Sequence, residues 1–291
     1  RVNDHIAVPR AFEPRQRAYR IYAKRAVLAA GAIERSHVFG NNDRPGIMLA
    51  SAMRTYLHRY GVKPGGRTVL FTSSDEAYST ANALLKAGAS VEAIVDTRAE
   101  THAKAPDGIR HLKGAQVIRA LGHLRVEAVE IADAQGHIRT IECDSVAMGN
   151  GWNPVVHLTC HLGGKPVWNE EIQGFVPGDC PPGLAVAGAA QGHLTLKETL
   201  SDGFKLGHAA AQDAGYTSSL PESPACADES TQHDPLWRST IGKGKRFVDF
   251  QHDVTDTDIE LANREGFRSV EHMKRYTTLG MATDQGKTSN I

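Results

Sequence analysis

The sequence predicts an α/β protein in which one parallel-sheet unit is inserted into another, with a small helical module after them. The first of three supporting observations is the run GRTVLFTSSDEAYSTANALLKAGASVEAIVDTR (66–98), which reads as strand, turn, helix and strand. Its apolar period switches from two to about 3.6 residues and back. Second, VLAAGA (27–32), VAMGNGWNP (146–154) and LAVAGAAQGHLTLKETLSDGFKLGHAAA (184–211) each carry an apolar run into glycine, and they flank that βαβ unit on both sides. Third, VTDTDIELANREGFRSVEHMKRYTTLGM (254–281) holds two short helical patterns behind a Ser/Pro/acid-rich stretch.

The 291 residues suffice for about two domains at the usual ~100–200 residues each. With 41% hydrophobic and 23% charged residues, the chain can bury a core. Lys+Arg and Asp+Glu both total 33, so no global basic field recruits nucleic acid or an anionic membrane. No apolar run approaches the ~18 residues of a membrane span and no signal peptide opens the chain, so a cytoplasmic location is expected. Cys143, Cys160, Cys180 and Cys226 lie far apart, which favours free thiols in a reducing compartment. The chain starts at Arg1 rather than Met and ends at Ile291 in a polar stretch, so it is expected to be an internal piece of something larger.

Along the chain, residues 1–20 are basic and irregular. Arg25 to Ala30 is expected to be a strand buried on both faces, since its apolar run is nearly continuous. NNDRPGIM (41–48) is a turn, and LASAMRTYLHRYG (49–61) a helix with Gly61 as C-cap. Val69 to Phe71, Tyr78 to Ala87 and Val91 to Val95 form the βαβ unit, with Gly88 stopping its helix. Short strands follow in Gly108 to Ala132, a buried strand in Cys143 to Pro154, then a strand, a glycine-bearing turn and a long helix in Gly183 to Gly215. Residues 216–235 read as a linker, Thr255 and Ser269 as N-caps and Gly266 as a helix stop. No internal repeat or low-complexity tract occurs. The expected division is 1–62 and 156–215 for the outer unit, 63–155 for the inserted, Rossmann-like one, and 216–291 for linker and helical module.

The turn of the βαβ unit holds Ser73, Ser74 and Asp75 where a dinucleotide loop needs glycines for close backbone approach to pyrophosphate. The carboxylates of Asp75 and Glu76 would repel phosphate there. Asp96 lies about 20 residues further on, where a ribose-binding acid belongs. Without the glycines, this unit is expected to be structural or an interface. The strand ending at Gly188, with Gly192 and a helix behind it, points backbone N–H groups at an anion instead.

The order of these pieces resembles the two-dinucleotide-binding-domain flavoprotein architecture of glutathione reductase. Ala30-Gly31-Ala32 is similar to the motif that closes the first part of its outer domain, Gly149 to Pro154 to the exit of the insertion, and Gly188-Ala189-Ala190 to the return, without the usual Asp after Gly188. The outer domain's opening glycine loop would lie upstream of Arg1. A closer resemblance rests on GAIERSHVFGNNDRPGIMLASAMRTYLHRYGV, GNGWNPVVHL and GKRFVDFQHDVTDTDIELANREGFRSVEHMKRYTTLGMATDQGKTSN. These resemble the alpha subunits of heterotetrameric sarcosine oxidases, in a central part lacking the N-terminal glycine loop and the C-terminal, tetrahydrofolate-binding aminomethyltransferase-like domain.

The resemblance implies an oxidative demethylation of sarcosine to glycine on FAD in the beta subunit. Electrons then pass to FMN at the boundary with the beta subunit and on to oxygen, giving hydrogen peroxide, while the methyl carbon leaves as 5,10-methylenetetrahydrofolate. Beta, gamma and delta subunits are the implied partners, and NAD the implied structural ligand of the alpha subunit. Carried onto this chain, the partial NAD site is Gly31, Ala32, Gly188, Ala189, Gly192, His193, Leu194 and Thr195. Alpha-type subunits of N-methylglutamate dehydrogenase or opine oxidase share many of these motifs, and a non-catalytic assembly module is a further alternative.

In related opine oxidase subunits the tail resembles bacterioferritin-associated ferredoxin and carries cysteines. Here Asp249, Gln251 and Asp284 stand at those positions, so no Fe–S cluster is expected. Apolar packing by Ile259, Leu261, Phe267, Val270 and Met273 is expected to hold the helices instead. His157, Cys160 and His161 are too tightly spaced for a tetrahedral zinc site alone and read as loop residues. His208 reads as packing or surface, and Lys243, Lys245 and Arg246 as a solvated loop. No pair forms a nucleophile or acid–base dyad, so neither catalytic nor metal-binding residues are assigned.

Overall fold

The computed structural model describes residues 7–8 and 10–291; the reading of residues 1–20 falls partly outside the described residues. Its largest body is a five-stranded, all-parallel sheet ordered β3 (Ile47–Leu49), β10 (Ser145–Gly149), β4 (Arg67–Thr72), β5 (Ser90–Asp96) and β6 (His111–Lys113). Side chains alternate across it because successive Cβ atoms point to opposite faces. Val69 and Phe71 meet Val117, Val129 and Ile131 of the antiparallel meander β7 (Gln116–Leu121), β8 (Ala128–Ala132) and β9 (Ile138–Glu142). Leu70, Ile94 and Ala147 meet helices α1 (Ala50–Tyr60) and α2 (Tyr78–Lys86) on the other face. Burying each such large side chain stabilises by ~1.5–3 kcal/mol. Ala77, Ala81 and Ala83 let α2 lie close to the sheet.

Gly61 ends α1 in the left-handed region, at φ 63°, and returns its N–H side to the helix as a C-cap. The sheet includes β3, and α1 packs on α2 through the same core, so the expected boundary at residue 62 is corrected: both elements belong to the inserted unit. Periodicity had identified the helix but not its layer, which is decided by β3 pairing with β10.

The chain enters and leaves this unit through an antiparallel ribbon, β2 (Ala32–Glu34) against β11 (Trp152–Pro154), with Trp152 opposite Glu34. The outer unit comprises the parallel pair β1 (Ala26–Leu28) and β14 (Leu184–Val186), the hairpin β12 (Val167–Asn169) and β13 (Gly174–Val176), and α3 (Leu196–Asp213). The expectation that β1 is buried on both faces is corrected: Val27 is 41% exposed, because β1 pairs only with β14 and no described layer covers it fully. No residue of the 18-residue α3 is buried.

The tail consists of the hairpin β15 (Phe247–Asp249) and β16 (Val254–Thr255) and helices α4 (Asp256–Arg264) and α5 (Val270–Thr277). Thr255 and Asp258 form a capping box on α4. The expected apolar packing is corrected here. Ile259, Leu261, Phe267 and Met273 are only half-buried and Val270 is exposed. Buried instead are Val254, Ala262 and Leu279, together with Asp249, which accepts from the N–H groups of Gln251 (2.9 Å), His252 (3.3 Å) and Gly280 (2.8 Å). Asp284 likewise accepts from Gly286 N–H at 3.2 Å and from the Thr288 hydroxyl at 2.9 Å. Thus two carboxylates gather backbone donors at positions where the related module has thiolates. Arg246 donates to buried Asp256 at 2.6 Å, so it is a structural member of this module rather than part of a free basic loop.

Candidate functional site

Two strand–turn–helix corners face each other across a cleft: Ser73–Glu76 of the inserted unit and Gly188–Thr195 of the outer one. A cavity of about 270 Å³ between them is lined by Ala32, Ala189 and Leu194 on one side, Ser74 and Glu76 on the other, and Trp152, Thr231 and His233. An adjoining space contains Gly192, His193 and Leu194 with Gln191, Glu198 and His233. The structure therefore brings Ala32, Ala189, Gly192, His193 and Leu194 into one region. Gly31, Gly188 and Thr195 lie in the turns behind it and do not line either space.

At the outer corner Gly188 N–H donates to Asp202 of α3 at 2.9 Å, and the same carboxylate oxygen meets His193 Nδ1 at 2.6 Å. Gly192 has φ +95°, and a Cβ there would sit 2.9 Å from Val176 Cγ1, so both strain and space require glycine. The donors at the start of α3 are engaged. Thr195 Oγ1 accepts from Glu198 N–H at 3.2 Å, Glu198 accepts from Thr195 N–H at 3.1 Å, and Glu229 accepts from Leu196 N–H at 2.6 Å. Two carboxylates thus already stand where a helix N-terminus would attract an anion. The Thr-x-x-Glu spacing of 195–198 is a capping-box pattern that the sequence displays. Asp202 and Glu229 carry no such local signal and were missed.

The inserted corner is closed by its own side chains. Asp96, fully buried, takes Arg98 Nε at 3.0 Å, Arg98 Nη2 at 2.7 Å and the Tyr78 hydroxyl at 2.7 Å. Arg98 Nη1 lies 2.8 Å from Asp75 Oδ1, which also accepts from Thr101 Oγ1 at 2.7 Å. Burial opposes ionisation of Asp75, but hydrogen bonds from Ser230 and Thr101 and the charge of Arg98 outweigh it and hold the carboxyl below its ordinary range. Burial, with the neighbouring Asp96, pushes the Tyr78 phenol up. Asp96, at the position for gripping a ribose, is fully occupied by protein donors.

The ribbon between the corners is also tied down. Glu34, 5% exposed, accepts from Ser51 N–H at the start of α1 at 2.8 Å; burial raises its carboxyl to about 7. Arg35 donates to the carbonyls of Gln173 (2.8 Å), Trp152 (3.0 Å) and Ile172 (3.0 Å) and lies 5.4 Å from the Trp237 ring. His37, buried and stacked 3.9 Å from Phe71, is lowered to about 3 by burial and stays neutral. Trp152 Nε1 donates to Glu76 at 3.0 Å, and Arg54 pairs with the same carboxylate. Among the described residues no three of His, Cys, Asp or Glu gather to hold a metal ion, and His157, Cys160 and His161 lie along one 3₁₀ turn. All four cysteines are unpaired.

The nested sheets, ribbon and cleft define a two-dinucleotide-binding-domain flavoprotein fold. Solved structures share it: L-proline dehydrogenase from P. horikoshii superposes with a TM-score of 0.66 at 20% identity, covering 91% of this chain and 51% of that one. T. acidophilum thioredoxin reductase gives 0.51 at 17% identity, covering 65% of this chain and 66% of its own. In sequence, residues 243–291 match the family model of the sarcosine oxidase A3 domain. The chain is 43% identical over 297 aligned residues to sarcosine oxidase subunit alpha of Rhizobium meliloti (strain 1021), covering 100% of this chain and 30% of that protein. It belongs to the sarcosine oxidase alpha-subunit family and spans less than a third of the length of that relative.

Proposed function

We propose that this chain is the scaffolding and NAD-holding region of a sarcosine oxidase alpha subunit. In this reading the complete enzyme demethylates sarcosine to glycine, with FAD in the beta subunit, FMN at the alpha–beta boundary and tetrahydrofolate accepting the methyl carbon. Beta, gamma and delta subunits are its partners and the cytoplasm its compartment; among the described residues no helix is long and apolar enough to cross a membrane. The observation that carries the NAD assignment is the cleft between Ala32, Ala189 and Leu194 on one side and Trp152 on the other. Its small apolar walls fit a planar ring. They do not supply a pyrophosphate grip, because Glu198 and Glu229 engage the first N–H groups of α3. The residues present therefore fit one end of NAD, and a partial site is the reading they support.

Calorimetric titration of the full-length alpha subunit with NAD tests this. Binding that is weakened by Gly192→Val is expected; unchanged affinity in that variant, with the protein folded, removes the assignment. The activity assignment is tested separately. The 291-residue chain given sarcosine, FAD and FMN is expected to yield no peroxide, whereas the assembled subunits are expected to produce it. Peroxide from the isolated chain, or none from the assembly, refutes that reading.

A further inference from the structure

The stretch expected to be a linker, 216–235, has two different halves. Residues 216–228 carry no regular structure and include the exposed Tyr216 and Leu220. Residues 229–234, by contrast, lie against both corners of the cleft. On the inserted side, Asp75 N–H donates to Gln232 C=O at 3.0 Å and Asp234 N–H donates to Ser73 C=O at 2.9 Å. Ser74 and His233 are therefore paired as in an antiparallel strand. The Ser230 hydroxyl donates to Asp75, and Arg98 Nη1 reaches Gln232 C=O at 2.8 Å. On the outer side, Glu229 takes Leu196 N–H at the start of α3 at 2.6 Å, and His233 Nε2 lies 2.7 Å from Ile172 C=O.

Asp75 N–H and the donors around Asp96 are the groups that a nucleotide seated on this corner would meet first. A buried backbone polar group needs a partner, and here each is supplied by the chain itself. We propose that residues 229–234 are an intramolecular ligand: a strand-like strap that fills the nucleotide face of the inserted unit and clamps it to the Gly188–Thr195 corner. The recognition chemistry is that of strand addition, in which main-chain hydrogen bonds hold an extended peptide. The inserted unit is then a peptide-bound domain fixed in orientation, not a vacant nucleotide domain free to swing. This inference is independent of whether NAD occupies the cleft.

Amide exchange read by mass spectrometry on the full-length alpha subunit, with ADP as probe, tests it. Peptides covering 73–78 and 229–236 are expected to exchange at least about tenfold more slowly than 216–226. Millimolar ADP is expected to leave both protected. Protection of 73–78 by ADP with release of 229–236 would show a displaceable lid over a working nucleotide site and overturn the proposal. Equal exchange across 216–236 would overturn it as well. A second measurement uses Ser74→Cys with His233→Cys. Such non-hydrogen-bonded antiparallel pairs place Cα atoms about 4.5 Å apart, within the span of a disulfide. Spontaneous cross-linking of this pair, mapped on peptides, and none for Ser74→Cys with Gln232→Cys, supports the strap; the reverse result sinks it.

Discussion

The Ser73–Glu76 and Gly188–Thr195 corners are built from the same parts, a parallel strand leading through a turn into a helix, yet they end in opposite states. The first is sealed: Asp75, Asp96 and Arg98 are 6%, 0% and 5% exposed, and a strap covers the turn. The second lines a larger share of the cleft, through Ala189, Gln191, Gly192, His193 and Leu194, and α3 behind it has no buried residue. Backbone donors are engaged by the protein at both corners; what sets the first apart is its buried acid, Asp96, held by Arg98 and Tyr78, and the strap across its turn. Glycine at the outer turn is required by the backbone itself, with φ of +65° at Gly188 and +95° at Gly192. The outer corner keeps Gly188 and Gly192; the inner one holds serines whose hydroxyls and backbone bond within the protein, as Ser73 Oγ does to Asn150 Oδ1 at 2.6 Å.

The largest expected effect breaks the sealed corner. Arg98→Met leaves the buried carboxylates of Asp75 and Asp96 without their shared cation. Removing one partner of such a buried network destabilises by ~3–5 kcal/mol. Urea denaturation of the variant is expected to show that loss; a change below about 1 kcal/mol, the scale of an exposed ion pair, would mean the network is not sealed.

Much of this contrast was legible in the sequence. The serines and acids at 73–76 argued against a phosphate loop, and helix period with Gly61 located α1. The partners that seal or tie the corners were not legible. Arg98 is two residues from Asp96, but its link to Asp75 spans a turn and a helix, and Gln232 bonds to Asp75 from 157 positions away. Backbone pairing of that kind leaves no mark in side-chain pattern. The tail misled for a related reason: the apolar residues expected to pack are half-buried or exposed, while Val254, Ala262, Leu279 and a carboxylate ringed by N–H groups are buried, which only the three-dimensional path reveals.

The ribbon joining the two corners gives the next effect. Glu34 titrates near 7 when folded against an ordinary value of 4.5. The folded state therefore holds a proton that the unfolded chain releases between those values. Its contribution is fully present below pH 4.5 and is lost as pH rises through 7, with a span of roughly 3 kcal/mol as an order of magnitude. Glu34→Gln is expected to flatten the pH dependence of stability across this window and to be the more stable form at pH 8. A variant with the wild-type slope would assign that slope to other groups.

Away from both corners, the tail offers a smaller test of the same principle, that polar groups are held by protein donors in place of a ligand. Asp249→Ala strands the N–H groups of Gln251, His252 and Gly280. Leaving a buried donor unsatisfied costs about 1–3 kcal/mol. Proteolysis within 247–291 is expected to accelerate while the five-stranded sheet keeps its exchange protection. Uniform loss across both would make the tail inseparable from the inserted unit.

The smallest effect sharpens the open corner. Glu198 sits in the first turn of α3, where its charge favours the helix dipole and opposes any phosphate brought near the Gly188–Thr195 turn. Glu198→Gln keeps an oxygen able to accept from Thr195 N–H and removes the charge. A first-turn charge is worth ~0.3–1 kcal/mol at low ionic strength, which corresponds to about two- to fivefold in affinity. NAD titrated into the full-length alpha subunit is therefore expected to bind about two- to fivefold tighter to the variant in low salt. The difference should shrink in ~1 M salt, where the screening length falls to about 3 Å. The inserted corner provides the control: Asp75 and Asp96 share Arg98 there and Glu76 pairs with Arg54, and Glu92→Gln, on β5 outside these pairs, is expected to leave NAD affinity unchanged. If Glu198→Gln has no effect in low salt while Gly192→Val weakens binding, the dinucleotide rests on the turn through its ring end and keeps its phosphates elsewhere. If both are without effect, the open corner is as empty of NAD as the sealed one.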